Sequence, residues 1–166
     1  MTRYPRKMPV IRLFVSYAHE DDYWMKTLMP LLSFSGVEAK PWSDKEIRPG
    51  VRWDDAIKGE LGKMHVFIPL VSVHFAVSNY IKNVECLIAK ARMAKDEIEV
   101  IPVYLAHTGG NECDWLMELQ RLPPGDKPWA EIFKEFQLHD LALAPIRDGI
   151  RQVVDRARER LRKAGP

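Results

Sequence analysis

The run "MHVFIPLVS" at residues 64–72 constrains the fold more than any other part of the sequence, because it is apolar almost throughout. Such a run, without polar alternation, is typical of a strand covered on both faces, as in a parallel sheet between two layers of helices. The runs "VIRLFVSYA" (10–18) and "EVIPVYL" (99–105) have the same character, and "VEAKPW" (37–42) predicts a shorter strand. The sequence therefore predicts a buried, parallel sheet.

Amphipathic helices are predicted between and after these strands. Besides a helix around residue 85, three sets of apolar residues repeat at helical spacing: Trp24, Leu28 and Leu32; Trp53, Ile57 and Leu61; and Ile146, Ile150, Val153, Val154, Ala157 and Leu161. Gly36 is expected to end the first of these helices. Residues 106–140 are interpreted as irregular, with a short edge strand at "KPWAEI" (127–132). Strands that alternate with helices indicate an α/β domain with a mostly parallel sheet.

Length and composition restrict the class of protein. A chain of 166 residues suggests one domain, and a net charge of +2 gives no general case for nucleic acid or an anionic membrane. No apolar run reaches the roughly 18 residues that span a bilayer. The first ten residues are interpreted as an N-terminal extension without signal-peptide features. Cys86 and Cys113 form no CxxC motif, so we expect free thiols in a reducing, cytoplasmic protein.

Several common catalytic motifs are absent from the sequence. There is no GxxxxGK or GxGxxG, which disfavours a Walker ATPase or a nicotinamide dehydrogenase. The five histidines show no HxxxH or HExxH spacing, so no metal site is expected. No GxSxG elbow supports a serine hydrolase.

Three polar segments follow the predicted strands and should meet at one edge of the sheet. They are "SYAHED" (16–21), "SDKEIRPG" (43–50) and "SVHFAVSNY" (72–80). In open α/β sheets, ligands bind beyond the carboxyl ends of the strands. The second segment carries Lys45 and Arg48, which could meet phosphates, and a Pro-Gly hinge, so it is either a mobile surface loop or a lid over a cleft.

Glu85 occupies an unusual position on the helix that follows the third long strand. A buried stripe is predicted from Ile81, Val84, Ile88 and Ala91. At about 100° per residue, Glu85 would then project roughly 80° from the middle of that stripe, at the boundary between core and water. Two interpretations follow: a surface carboxylate paired with a basic neighbour, or a carboxylate that faces the cleft.

The order of segments resembles a bacterial TIR (Toll/interleukin-1 receptor) domain. The resemblance rests on "RLFVSYAHEDD", "WSDKEIRPGVRWDDAI", "HVFIPLVSVHFAVSNYIKNVEC", "VIPVYL", "CDWLMELQRLPPGDKPW" and "IRDGIRQVV", in that order. It covers residues 11–161 and implies a TIR domain over about 11–163. The fold it implies is flavodoxin-like, with a five-stranded, mostly parallel sheet and helices on both faces.

The resemblance also implies roles for particular residues. The catalytic glutamate of enzymatic members falls on Glu85, the Ser-Tyr motif on Ser16 and Tyr17, and the turn of the BB loop on Arg48, Pro49 and Gly50. The tryptophan that many members place four residues before the glutamate is replaced here by Ile81. The candidate substrate-binding residues are Ser16, Tyr17, His19, Trp42, Asp44, Lys45, Arg48, Phe75, Ile81 and Trp115.

The function implied by this resemblance is cleavage of NAD+ between nicotinamide and ribose, with a cyclase activity as an open extension. NAD+ would be the substrate, and no fixed cofactor is expected. Self-association with other TIR domains, through a fused or separate sensor or oligomeriser, would activate the enzyme, as an effector in bacterial immunity. Two alternatives stay open: a non-enzymatic TIR scaffold, and a nucleoside deoxyribosyltransferase, which also uses a glutamate on an α/β scaffold.

Overall fold

The computed structural model describes residues 9–33, 39–109 and 113–165, and of residues 39–41 only the backbone. Its strands are Ile11–Ser16 (β1), Ala39–Trp42 (β2), Val66–Val71 (β3), Glu99–Val100 (β4) and Val103–Tyr104 (β5). They form one sheet in the order β2-β1-β3-β4, with β5 also on β3, and every pairing between these strands is parallel. The predicted parallel sheet is confirmed.

Six α-helices lie within the described ranges. They are Asp22–Ser33 (α1), Trp53–Lys63 (α2), Val73–Val77 (α3), Cys86–Ala94 (α4), Trp129–Phe136 (α5) and Asp140–Ala164 (α6). The predicted helices around residues 24, 53 and 146 correspond to α1, α2 and α6. Gly36 and residues 1–8 of the predicted N-terminal extension lie outside the described residues. Among the helices described, none is long and apolar enough to cross a membrane.

The sheet has four positions across, although five strands were predicted. β4 and β5 both pair with β3 and are two halves of one strand, interrupted at Ile101 and Pro102. The fifth position is reduced to a parallel bridge between Val103 and Leu122, where the Leu122 N–H donates to the Pro102 carbonyl at 2.8 Å.

The edge strand predicted at "KPWAEI" is wrong, because most of that segment is helix α5. Pro128 precedes the first helical turn, where its missing N–H costs no hydrogen bond. The helix then buries Trp129 completely, with its ring 5.0 Å from that of Trp24 on α1. Burial of one large aromatic side chain outweighs the weak strand pattern of six residues.

Helices cover both faces of the sheet, and this fixes its central strands. All six residues of β3 are buried, as its apolar run predicts. Phe67 on one face packs with Ile57 and Leu61 of α2, whereas Ile68 on the other face packs with apolar residues of α1 and α6. The central strands are therefore held rigidly, and their carboxyl ends can position side chains accurately.

The contact between α6 and Leu122 gives a direct test of this packing. A methyl group added at Gly149 would lie 2.6 Å from Leu122 Cδ2, inside the core, whereas one added at Gly59 on α2 meets nothing within 4 Å. We expect Gly149→Ala to lower the free energy of unfolding by about 1–3 kcal/mol, the usual cost of overpacking. Gly59→Ala, the matched control, should raise it by about 0.5–1 kcal/mol. Urea unfolding measures both, and equal effects would contradict the packing described.

Candidate functional site

A cleft of about 440 Å³ opens at the carboxyl edge of the sheet, where the loops after β1, β2 and β3 meet. The loop after β1 supplies Tyr17 and His19, the loop after β2 supplies Asp44, and α3 contributes His74. Glu85 lies in its wall. The prediction that these three segments meet at one edge of the sheet is confirmed.

Glu85 is carried by a π-helical turn and not by a regular α-helix. The turn spans Ile81–Glu85, and the Cys86 N–H donates to the Ile81 carbonyl, five residues back. A hydrogen bond that closes over five residues makes each residue advance less than the about 100° of an α-helix. Glu85 is thereby rotated back toward the middle of the predicted apolar stripe. Such turns occur often at functional sites.

This turn corrects the predicted position of Glu85 at the boundary of the core. Glu85 is only 7% exposed, and the helix after it buries Cys86 and Ala89. Ala91 of the predicted stripe is exposed. The sequence prediction assumed a period of 3.6 residues for the whole helix around residue 85, and this period does not hold across a π-turn. Nothing in the sequence indicates the turn.

The carboxylate of Glu85 is held by the last residue of β1. The Ser16 hydroxyl donates a hydrogen bond to Glu85 Oε2, and Ser16 itself is 1% exposed. Burial raises the pKa of Glu85 to about 7, with a smaller contribution in the same direction from the negative charge of Asp44. The Ser16 bond acts in the opposite sense, because it favours the ionised form. At neutral pH the group therefore exists in both protonation states.

A second carboxylate, Asp44, is anchored by the loop that follows Ser16. The Tyr17 hydroxyl donates to Asp44 Oδ1 at 2.5 Å, and His19 Nδ1 lies 3.7 Å from Asp44 Oδ2. Burial and this hydrogen bond raise the pKa of Tyr17, so the phenol remains a donor at neutral pH. These contacts connect the loops after β1 and β2 across the cleft.

An aromatic wall, formed by Trp53 and Tyr80, lines part of the cleft. Trp53, at the start of α2, lies with its ring 4.3 Å from the ring of Tyr80, and both line the cavity. Trp53 was predicted to occupy the core face of its helix, but it is 44% exposed. It is the first residue of α2, and its side chain borders the cleft.

A buried acid that sequence reasoning missed, Asp21, connects the segment after β1 to the start of α3. The Ser72 hydroxyl donates to Asp21 Oδ2 and also accepts the Phe75 N–H at 3.0 Å, capping α3. Burial raises the pKa of Asp21. The acidic run "HEDD" and the serine that follows β3 were visible in the sequence, but their pairing over 51 residues was not.

Comparison with protein families identifies the family to which this fold belongs. Residues 13–142 match the family model described as a TIR domain, which is well over half of the chain. The chain belongs to the TIR domain family. Its fold also resembles the TIR domains in the structure of the activated Roq1 resistosome directly recognizing the pathogen effector XopQ. That likeness has a TM-score of 0.51 and 17% identity, and it covers 87% of this chain and 84% of the other.

A curated relative extends beyond this TIR domain. The chain is 29% identical over 134 residues to the uncharacterized protein y4lF of Sinorhizobium fredii (strain NBRC 101917 / NGR234). The matched region is 75% of this chain but only 40% of y4lF, so the chain spans less than half the length of that relative.

The remaining predicted contact residues of the TIR domain lie away from the cleft lining. Trp42 stacks on Phe14 at 5.0 Å, and Trp115 packs, partly buried, between two core clusters. Phe75 is fully buried. Lys45 and Arg48 are exposed on the loop after β2, with Lys45 Nζ 3.4 Å from Asp22 Oδ1.

Three other sequence predictions concern the turn of the loop after β2, the two cysteines and metal binding. The Pro-Gly turn is present, with Gly50 at φ +83°, which favours glycine. Cys86 and Cys113 are both buried and form no disulfide, with their sulfur atoms 3.6 Å apart. Over residues 9–33, 39–109 and 113–165, no group of three His, Cys, Asp or Glu side chains is placed to hold a metal ion.

The burial of Glu85 makes the stability of the TIR domain dependent on pH. An acid with a higher pKa in the folded than in the unfolded chain binds more protons when folded, so stability falls as pH rises from about 4.5 to about 7. We expect Glu85→Gln to change stability little at pH 4.5 and to raise the free energy of unfolding by about 2–3 kcal/mol at pH 8. Urea unfolding at the two pH values checks this. Glu118→Gln, an exposed control, should show no such difference, and equal effects of Glu85→Gln at both pH values would refute the burial.

Proposed function

We propose that this TIR domain is an NAD+ glycohydrolase in which Glu85 is the catalytic carboxylate. The observation that carries the proposal is the buried carboxyl of Glu85, bonded to Ser16 and lining a cleft at the carboxyl edge of the sheet. A carboxylate withdrawn from water, with a pKa of about 7, stabilises positive charge more strongly than one on the surface.

One carboxylate is sufficient for this reaction. The bond between ribose C1′ and the pyridinium nitrogen breaks with both electrons going to the nitrogen, so nicotinamide leaves as a neutral molecule without a proton from the enzyme. The ribose becomes an oxocarbenium-like cation, which the Glu85 carboxylate stabilises through its charge. Water then adds to C1′ and loses a proton, giving ADP-ribose. Ordinary glycosidases need a second, acidic carboxyl because their leaving groups are not cationic.

The electrostatics of the cleft suit the cationic nicotinamide ring of NAD+. Glu85 and Asp44 line it together with Glu20, and within the described part of the chain no lysine or arginine lines it. A bound cation lowers the pKa of Glu85 because opposite charge favours the carboxylate. Binding of NAD+ would therefore generate the ionised, active form of Glu85. Ser16 would orient this carboxylate, while Tyr17 and His19 would hold Asp44 beside it.

Activation by self-association is part of the proposal. Lys45, a candidate for the diphosphate, is engaged with Asp22, so the loop after β2 must move before Lys45 or Arg48 can reach phosphates at the cleft. Contact with another TIR domain would supply that movement. Support comes from the structural neighbour, a TIR domain of an assembled resistosome, and from y4lF, whose additional length could contain an oligomerising segment. We further propose a cytoplasmic immune effector, with cyclisation of ADP-ribose as an additional outcome and no fixed cofactor, nucleic acid or membrane partner.

Release of nicotinamide from NAD+, followed over a hundredfold range of protein concentration, tests this function. We expect turnover to rise faster than linearly with concentration, and Glu85→Gln to reduce it by at least about 100-fold. The value of kcat/KM reports the ionisation of the free enzyme, so it should increase with pH through about 7 as Glu85 ionises, and Ser16→Ala should move that midpoint upward. Glu118→Gln should retain the wild-type rate.

Other outcomes separate the competing functions. Near-normal turnover by Glu85→Gln would refute the catalytic role, and constant specific activity on dilution would refute activation by association. No loss of NAD+ even after fusion to an oligomerising domain would favour a TIR scaffold. Base exchange on deoxynucleosides would favour the transferase.

A further inference from the structure

We propose that Trp53, supported by Tyr80, is the subsite that receives the planar cationic ring of the substrate and that it discriminates this ring from a neutral one of the same shape. The inference rests on the proposed function for the identity of the ring as pyridinium. Its structural basis is the juxtaposition, in one cleft, of an exposed indole and buried or anchored carboxylates.

The exposure of Trp53 requires a reason. An indole is the largest apolar side chain, and 44% of this one faces water within a cleft. It contributes little to the fold, because the core contacts of α2 come from Ile57 and Leu61, both almost fully buried. An aromatic face kept open in a concave site is available for a planar ligand.

The orientation of the aromatic wall is fixed by hydrogen bonds outside the cleft. The Tyr80 hydroxyl donates to Asp54 Oδ1 at 2.9 Å, and Lys58 Nζ donates to Asp54 Oδ2 at 2.8 Å. The Tyr80 ring therefore has a set position against Trp53. Since Asp54 follows Trp53 in α2 and Tyr80 precedes the π-turn, the same contacts connect the indole to the segment that carries Glu85.

Charge determines which planar ring this wall prefers. The face of an indole attracts cations through its quadrupole, most strongly among the aromatic side chains. Glu85 and Asp44 line the same cavity, and both favour positive charge there. A pyridinium ring combines a flat shape with a full positive charge, whereas the ring of free nicotinamide is flat and neutral. The wall would therefore bind the ring of the substrate and release the product of the cleavage.

A pair of small ligands tests this directly in the full chain, without catalysis. 1-Methylnicotinamide is a permanent pyridinium cation, and nicotinamide is its neutral counterpart. In spectra of ¹⁵N-labelled protein, the indole signal of Trp53 is assigned by its disappearance in Trp53→Phe. We expect 1-methylnicotinamide to shift this signal saturably and to bind about three- to tenfold more tightly than nicotinamide. The signals of Trp24 and Trp129, which pack in the core, should not move.

Variants show whether binding of the cation depends on the indole ring of Trp53 or only on an apolar side chain at this position. Trp53→Leu should remove the preference for the cation, and its exposed position makes unfolding no obstacle, since no core cavity is created. Tyr80→Phe keeps the ring but loses the bond to Asp54, so it should weaken the preference partly. Tyr23→Leu, which removes a comparably exposed aromatic on α1 outside the cleft, should leave both dissociation constants unchanged.

The outcomes distinguish this inference from the proposed function. Equal affinity for the two ligands, no shift of the Trp53 signal, or an unchanged preference in Trp53→Leu would overturn the subsite even if NAD+ is cleaved. A cation-selective shift at Trp53 without any turnover of NAD+ would support the subsite and count against the glycohydrolase. If both hold, Trp53→Leu should raise KM for NAD+ more than it lowers kcat.

Discussion

The hydrogen bond from Ser16 to Glu85 is the contact on which the site depends. It joins the carboxyl end of a central strand to the π-turn, and both residues are buried. Removing a carboxylate from water is costly, so the surrounding structure must hold it there. β1 does so because its residues pair with β2 on one side and β3 on the other, with Ser16 in register with Pro69. The rigid sheet therefore holds the side chains of the site in accurate positions.

Most of the fold could be predicted because a strand that is buried on both faces must be apolar along its whole length, and such a run is easy to recognise in the sequence. The apolar run at β3 can be satisfied only between two helix layers. Parallel strands then bring Tyr17, Asp44 and His74, which follow β1, β2 and β3, to one edge. The extra helix α5 was missed because one residue, Trp129, decides it through contacts with Trp24 and not through a repeating pattern.

The candidate site was predicted less completely, for physical reasons that differ between residues. Glu85 was identified, but its environment was not, because a single i→i+5 hydrogen bond changes the helical phase and leaves no compositional signal. The Asp21 pair with Ser72 depends on tertiary contact alone. Trp53 was predicted to lie in the core because helical spacing shows which residues share one face of a helix. Spacing does not show whether a neighbouring element covers that face, and Trp53 is in fact exposed.

The pKa of Glu85 tests the described site most directly, because it depends on the burial of the π-turn, on the hydrogen bond from Ser16 and on the charge of Asp44. Side-chain carboxyl ¹³C signals of labelled glutamate, with Glu85 assigned by Glu85→Gln, can be followed as pH is varied. The structure predicts a midpoint near pH 7, and a higher one in Ser16→Ala. A midpoint close to the ordinary value of 4.5, unaffected by Ser16→Ala, would mean that Glu85 faces water and would contradict the site described.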